Sequence, residues 1–249
     1  MPEALLAKPT AALRWTPESF DSHQLGLSVA RLHVDGEPAG LGPALSALVR
    51  EWHSEGVQLV GFRVPEAFRA AHAALVRAGF REIESLVTYR RATAAALPGS
   101  ERCARAQPSD RDALIEVARH AFRYDRYHAD ARIDSARADA LKATWVANSL
   151  NGRADVSLTV QEEGVARGFC LCLRRPDRAV IDLIAVDPAA QGRGFGAALV
   201  AGALHHYAGS VATMDVSTQA ANTASTALYK KLGFVEAGRT RTFHWMPAQ

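Results

Sequence analysis

The sequence predicts an α/β protein in two parts, and three observations carry that prediction. From Leu25 onward, short apolar runs of strand length alternate with longer stretches of helical periodicity. One run, 181–186 (IDLIAV), stops at the turn dipeptide Asp187-Pro188 and leads through a glycine-rich loop, QGRGFG, into an apolar helix reaching Tyr207. Finally, residues 25–91 lie on residues 179–245 without a gap. Gly40 then falls on Gly194, Gly42 on Gly196, Ala44-Leu45 on Ala198-Leu199, Val57 on Val211, and Gly79-Phe80 on Gly233-Phe234. A gapless register with paired landmarks argues for duplication.

Residues 1–24 are mixed in character and are expected to wrap the surface. Then come a strand (27–34), a helix (43–54), a strand (57–64), a helix (66–78) and a strand (83–91). The piece ATAAALPGSER reads as a linker and puts a domain boundary near 97/98. A short strand (103–106) opens the second part. The helix after it, reaching Phe122, begins with a capping-box-like Ser109-x-x-Asp112. RYDRYHADARID is polar and aromatic, unlike a core element. A helix (135–150) follows, then strands 156–161 and 166–173 joined at Glu163-Gly164 as a hairpin. Strand 179–186, the glycine loop and its helix, a strand (211–218), a helix (223–232) and a closing strand (235–245) complete the chain.

Composition narrows the function classes. A chain of 249 residues, 48% apolar and 22% charged, suits a globular protein with a good core. The net charge of +3 is small, and its basic residues form no runs, so nucleic acid is not an expected partner. MPEALLAKPTAALRW lacks a signal-peptide core and no apolar run reaches membrane-spanning length, which makes the cytoplasm the expected location. Cys103, Cys170 and Cys172 give no disulfide framework. Cys170-Leu-Cys172 puts two thiols on one strand face, a spacing for buried apolar thiols rather than zinc, and no metal is expected.

The strand–loop–helix at 181–207 has the physical features of an anion cradle. Unpaired N–H groups at a helix N-terminus point outward, the helix dipole favours negative charge, and Gly192, Gly194 and Gly196 let a phosphate approach. Arg193 can add a charge-assisted contact. Glycine spacing alone fits a ligand-free tight turn equally well; it is neither the dinucleotide fingerprint nor a P-loop. Asn222 and Tyr229 stand two helical turns apart and share roughly one face. Asn222 is also a natural N-cap, and Tyr229 a natural core aromatic. The first copy differs at these positions: Gln191 is matched by Glu37, and Arg193, Asn222 and Tyr229 by the apolar Ala39, Phe68 and Leu75. That copy is expected to be structural.

Val-Asp-Pro followed by Gln-x-x-Gly-x-Gly resembles the acyl-CoA diphosphate loop of the GNAT acetyltransferase superfamily. Val216-Ser-Thr-Gln-x-x-Asn222, with Tyr229 and Gly233-Phe234 beyond it, resembles that superfamily's second signature. The resemblance implies a mixed, mostly antiparallel sheet flanked by helices in a catalytic domain at 98–249, preceded by a degenerate half-domain at 1–97. It implies acetyl-CoA as co-substrate, gripped by Gln191, Gly192, Arg193, Gly194, Phe195, Gly196 and Ala197. Backbone groups of Ile184, Ala185 and Val186 would hold the pantetheine, Asn222 would contact the cofactor arm, and Tyr229 would protonate the departing thiolate. An amine attacking a thioester builds an oxyanion and expels a thiolate, which is the chemistry such donors assist. Such domains often pair as homodimers.

Arg126-Tyr127-His128-x-Asp130, Trp145 and the Thr218-Gln219 pair resemble the dTDP-fucosamine acetyltransferase (WecD-like) branch. This implies a nucleotide sugar as the small-molecule partner, its 4-amino group being acetylated. Arg126, with Tyr127 and Trp145 as flat surfaces, suits such a ligand; the same residues suit helix packing. His128, Asp130 and Asp182 are candidates for the base. Another amine (an aminoglycoside, a polyamine or a protein N-terminus) and a non-catalytic CoA-binding module remain as alternatives.

Overall fold

The computed structural model describes residues 12–35, 41–94 and 97–248. In chain order the strands are β1 (Ala12–Pro17), β2 (Val29–Asp35), β3 (Leu59–Pro65), β4 (Arg81–Ala92), β5 (Cys103–Arg105), β6 (Val156–Glu162), β7 (Val165–Arg174), β8 (Arg178–Val186), β9 (Thr213–Gln219) and β10 (Val235–Trp245). The helices are α1 (Ser19–Leu25), α2 (Gly42–Ser54), α3 (Arg69–Arg77), α4 (Arg111–Ala121), α5 (Ser135–Asn148), α6 (Phe195–Tyr207) and α7 (Thr223–Lys231). Every strand and helix expected beyond Leu25 is present, its ends moved by a few residues at most. No helix among the described residues is long and apolar enough to cross a membrane.

The chain forms two compact units, one of residues up to Glu84 and from Thr240 on, the other Ser85–Arg239. In the first, β1 pairs antiparallel with β2, β2 runs parallel to β3, and β3 pairs antiparallel with residues 240–245 of β10. Its core centres on the fully buried Trp52, whose ring meets Phe80 at 5.9 Å and Trp245 at 5.2 Å. Residues 12–25 correct an expectation, being an edge strand and a short helix rather than a surface wrap. Leu13 and Trp15 alternate inward from β1 onto the core, and the Trp15 Nε1 donates to Glu51 at 2.8 Å.

Duplication shows in the element ends. β3 at 59–65 and α3 at 69–77 correspond, residue for residue, to β9 at 213–219 and α7 at 223–231. The closing strands are exchanged, however. Residues 86–92 of β4 pair with β9 in the second unit, and the end of β10 belongs to the first. Gly40, Glu37 and Ala39, the first-copy matches of Gly194, Gln191 and Arg193, lie outside the described residues.

The second unit orders its strands β4-β9-β8-β7-β6-β5, antiparallel except for β8 beside β9. One face packs on α6 and Tyr229 of α7, the other on α4 and α5. Cys170 and Cys172 are fully buried on the α6 face, their Sγ atoms 3.6 Å apart. The cap ahead of α4 lies two residues before the expected one: the Asp110 carboxylate accepts from the Gln107 N–H at 2.8 Å, in a reciprocal Gln107/Asp110 box. Pro108 occupies the first turn, where no N–H is needed.

Candidate active site

β8 decides the geometry of the site. Its pairing with β7 slips between Leu171↔Leu183 and Cys172↔Ile181, so Asp182 is an extra residue, a β-bulge. Because side chains alternate, one inserted residue reverses the faces beyond it. Ala179 and Ile181 belong to the α6-side cluster, whereas Leu183 and Ala185 belong to the α4/α5 side, leaving Ile184 and Val186 partly buried towards α6. The parallel pairing with β9 runs from Arg178↔Thr213 to Ile181↔Val216 and stops there. Beyond it β9 continues along β4, and Leu183 to Val186 keep only β7 as a partner. The β9-facing backbone edge of Ile184, Ala185 and Val186 is thus open, as an added extended ligand requires.

The open edge ends at the loop. The Asp187 carboxylate accepts from the Ala189 N–H at 2.9 Å and from Arg167 at 3.1 Å, which fixes the Asp-Pro turn. Gln191 folds back, its amide donating to the Val186 carbonyl at 3.3 Å. Gly192 and Gly194 have φ of +79° and +81°, and a Cβ at Gly192 would meet open space. Gly194 caps α6, and Phe195 anchors the first turn by its buried ring. A Cβ on Gly196 would come within 3.3 Å of Leu228, so glycine there lets α6 sit close to α7. With Ala197 only partly buried, the first-turn N–H groups have no intrahelical carbonyl to reach. These residues fit a diphosphate.

Arg193 differs from expectation: its guanidinium grips both oxygens of Glu162 at 2.6 and 2.7 Å and donates to the Ala189 carbonyl at 3.2 Å. A residue that sequence reasoning missed lies opposite. Arg102, in what reads as a linker, donates to the Arg193 carbonyl at 3.2 Å and stacks over the Phe195 ring at 4.9 Å.

On α7 the Asn222 Oδ1 accepts from the Ser225 N–H at 3.1 Å, so the cap is made. Tyr229 is 2% exposed, its ring 6.0 Å from Tyr89 and 5.8 Å from Phe234, and its hydroxyl makes no hydrogen bond among the described residues. Burial pushes the phenol pKa well up, with the nearby Cys170 thiol adding to it. Gln219 ends β9 opposite Leu86, one strand from the open edge.

The 122–134 segment, expected to be unlike a core element, alternates exposed residues with four buried ones, Asp125, Tyr127, Asp130 and Ile133. Its polar groups satisfy one another. His128 is held through both ring nitrogens, Nδ1 against Asp125 at 2.5 Å and Nε2 against Asp139 at 3.0 Å. Lys142, itself buried, approaches Asp125 at 3.4 Å. Burial opposes charge on Asp125, yet Lys142 and His128 hold its carboxyl far below the usual range. Burial likewise opposes charge on His128, but its two carboxylates raise its pKa. Asp125 and Lys142 also went unrecognised in the sequence; the three-residue spacing of Asp125 and His128 was the available signal. Asp130 forms two bonds to Arg132, at 2.8 and 2.7 Å, and Asp182 meets Arg153 at 2.6 Å. All three candidate bases are therefore engaged in ion pairs. Arg126 donates to the Tyr127 hydroxyl at 2.9 Å and lies 4.5 Å from that ring and 5.9 Å from Trp145, so these three do come together.

A parallel strand pair that opens at a bulge, with an anion loop at the end of its longer arm, defines the GNAT fold. Residues 112–234 match the Acetyltransferase (GNAT) family model, and that segment is a GNAT-family acetyltransferase domain. The match implies acetyl-CoA as co-substrate. Among relatives, the chain is 29% identical over 144 residues to the spore coat polysaccharide biosynthesis protein SpsD of Bacillus subtilis (strain 168), covering 57% of this chain and 50% of that one. The chain thus spans only about half the length of that relative. A GCN5-related N-acetyltransferase from Sphaerobacter thermophilus shares the fold at a TM-score of 0.66 and 17% identity, over 96% of this chain and 78% of that one. A tandem GNAT protein from the clavulanic acid biosynthesis pathway does so at 0.59 and 14%, over 98% and 86%.

Proposed function

We propose that the chain is an acetyl-CoA-dependent N-acetyltransferase, with 98–249 carrying catalysis and the first copy serving as scaffold. The observation that carries this reading is the open edge of Ile184 to Val186 running into the 191–197 loop, with the buried Tyr229 on the same side of the sheet. Acetyl-CoA supplies the activated acetyl group. The loop N–H groups bind its diphosphate, the strand edge aligns its arm, and Tyr229 donates its proton to the departing sulfur. The acceptor in this reading is the 4-amino group of a dTDP-linked 4-amino-4,6-dideoxyhexose. Two observations support a sugar nucleotide: Arg126 gathered with the Tyr127 and Trp145 rings, and similarity to a protein named for polysaccharide biosynthesis.

The test is thiol release from acetyl-CoA across a panel of dTDP- and UDP-amino sugars, aminoglycosides, polyamines and peptides. Turnover is expected with the dTDP-amino sugars. Good turnover on another amine and none on sugar nucleotides removes the acceptor assignment. Binding of coenzyme A without turnover on any amine makes the chain a binding module.

A further inference from the structure

The diphosphate loop carries two arginines on opposite errands. Arg193, within the loop, is neutralised by Glu162. Arg102 comes from a short turn 91 residues earlier and pairs with no carboxylate among the described residues. Its donor is spent instead on a backbone carbonyl, that of Arg193. That carbonyl shares one planar trans peptide with the Gly194 N–H, so the two point in opposite directions. Fixing the oxygen therefore fixes the N–H. The constraint matters because Gly194, at φ +81°, has no side chain to restrict its backbone, and the loop before it, Gln191 to Arg193, is exposed.

The placement of Arg102 is itself built in. Its guanidinium lies 4.9 Å from the Phe195 ring centroid, and Nη1 would be 3.3 Å from a Cβ at Gly194. The next residue, Cys103, seats against α6 where a side chain is missing: a Cβ on Gly202 would meet the Cys103 Sγ at 2.5 Å and Cβ at 2.8 Å. Helix α6 thus docks the 100–103 turn, and the turn delivers Arg102 to the helix's own N-terminus.

We propose that Arg102 is a positioning residue for the coenzyme's diphosphate: it holds the 193–194 peptide so that the Gly194 N–H faces the anion. The proposal rests on the acetyl-CoA reading and assigns Arg102 no contact with the ligand. The test measures binding of coenzyme A, 3′-dephospho-coenzyme A and pantetheine to the full chain and to the Arg102→Ala and Arg102→Lys variants. The Gly194 amide resonance and the melting temperature of each free protein are followed alongside.

Arg102→Ala is expected to weaken both nucleotide ligands alike, by about tenfold, to spare pantetheine, and to shift the Gly194 amide signal. Lysine keeps a donor for the carbonyl but loses the flat stack on Phe195, and restores part of the affinity. A loss confined to coenzyme A would mean direct contact with the 3′-phosphate and overturn the proposal. So would failure of lysine to restore binding, an equal loss on pantetheine, or no loss at all. Failure of the unaltered chain to bind coenzyme A removes the acetyl-CoA reading itself, whatever Arg102 does.

Discussion

Tyr229 combines two properties that a thiolate-protonating acid needs: a proton that burial keeps in place through neutral and mildly alkaline pH, and a hydroxyl not used elsewhere among the described residues. Tyr229→Phe keeps the ring contacts with Tyr89 and Phe234 and removes only the hydroxyl. Turnover should fall by about a hundredfold or more, with acetyl-CoA affinity unchanged by calorimetry; unaltered turnover would end the acid role. Asn222 allows a sharper separation, because serine caps a helix as well as asparagine does. Asn222→Ala should cost about 1 kcal/mol of stability and Asn222→Ser almost none. If Asn222 also touches the cofactor arm, both variants raise KM; a normal KM in the serine variant reduces Asn222 to a cap. That both residues lie on α7 was legible because a helix fixes what lies two turns apart, whereas their proposed roles rest on the resemblance to the superfamily's second signature. Arg102 was not, since a hydrogen bond to a carbonyl 91 positions away leaves no trace in local spacing.

Elements tell the same story at longer range. The strand expected at 179–186 reads as an apolar stretch broken by Asp182, and its existence was clear from sequence. Its bulge was not, because Asp182 interrupts the run chemically without showing that pairing slips there. Yet the bulge turns Leu183 and Ala185 onto α4 and α5 and opens the edge beside them. The 122–134 segment was misjudged for a related reason: its polar residues bury one another as pairs, which composition cannot distinguish from exposure. That pairing makes a pH prediction. His128 has a raised pKa, so its contribution is complete below the unfolded value of about 6.5 and is lost as pH climbs through the folded one. Asp125 has a lowered pKa, so its contribution holds above about 3.9 and fades only in stronger acid. Asp139, itself 4.0 Å from Arg123, and Lys142 also face this pair. At pH 6, His128→Gln should cost about 2 kcal/mol. Its melting temperature should approach that of the unaltered chain as pH rises to 9. Parallel melting curves at every pH would show that His128 contributes no charge.

At the scale of the molecule, duplication was readable but the exchange of closing strands was not, because a repeat says which strands match and not which sheet receives them. The consequence concerns where the chain can be cut. A boundary at 97/98 follows the linker, yet it discards β4, the antiparallel partner of β9 from Leu86↔Gln219 to Ala92↔Thr213. Cutting there bares the edge of β9 and removes Val87 and Tyr89 from the cluster that buries Tyr229. It also strips Asp215, 7% exposed, of the two Arg90 bonds at 2.6 and 2.7 Å, leaving Arg178 as its cation. At the other end, residues 240–245 lose β3 and become an apolar tail containing Phe243 and Trp245. A fragment of 98–249 should therefore aggregate or melt without cooperativity, whereas 85–239 should stay monomeric, melt cooperatively and bind coenzyme A. Gel filtration, circular dichroism and calorimetry on the two fragments decide the matter. If 98–249 proved monomeric and bound coenzyme A as tightly as the full chain, β4 would be dispensable, and the exchanged strand would be a relic of duplication rather than part of the acetyl-CoA site's support.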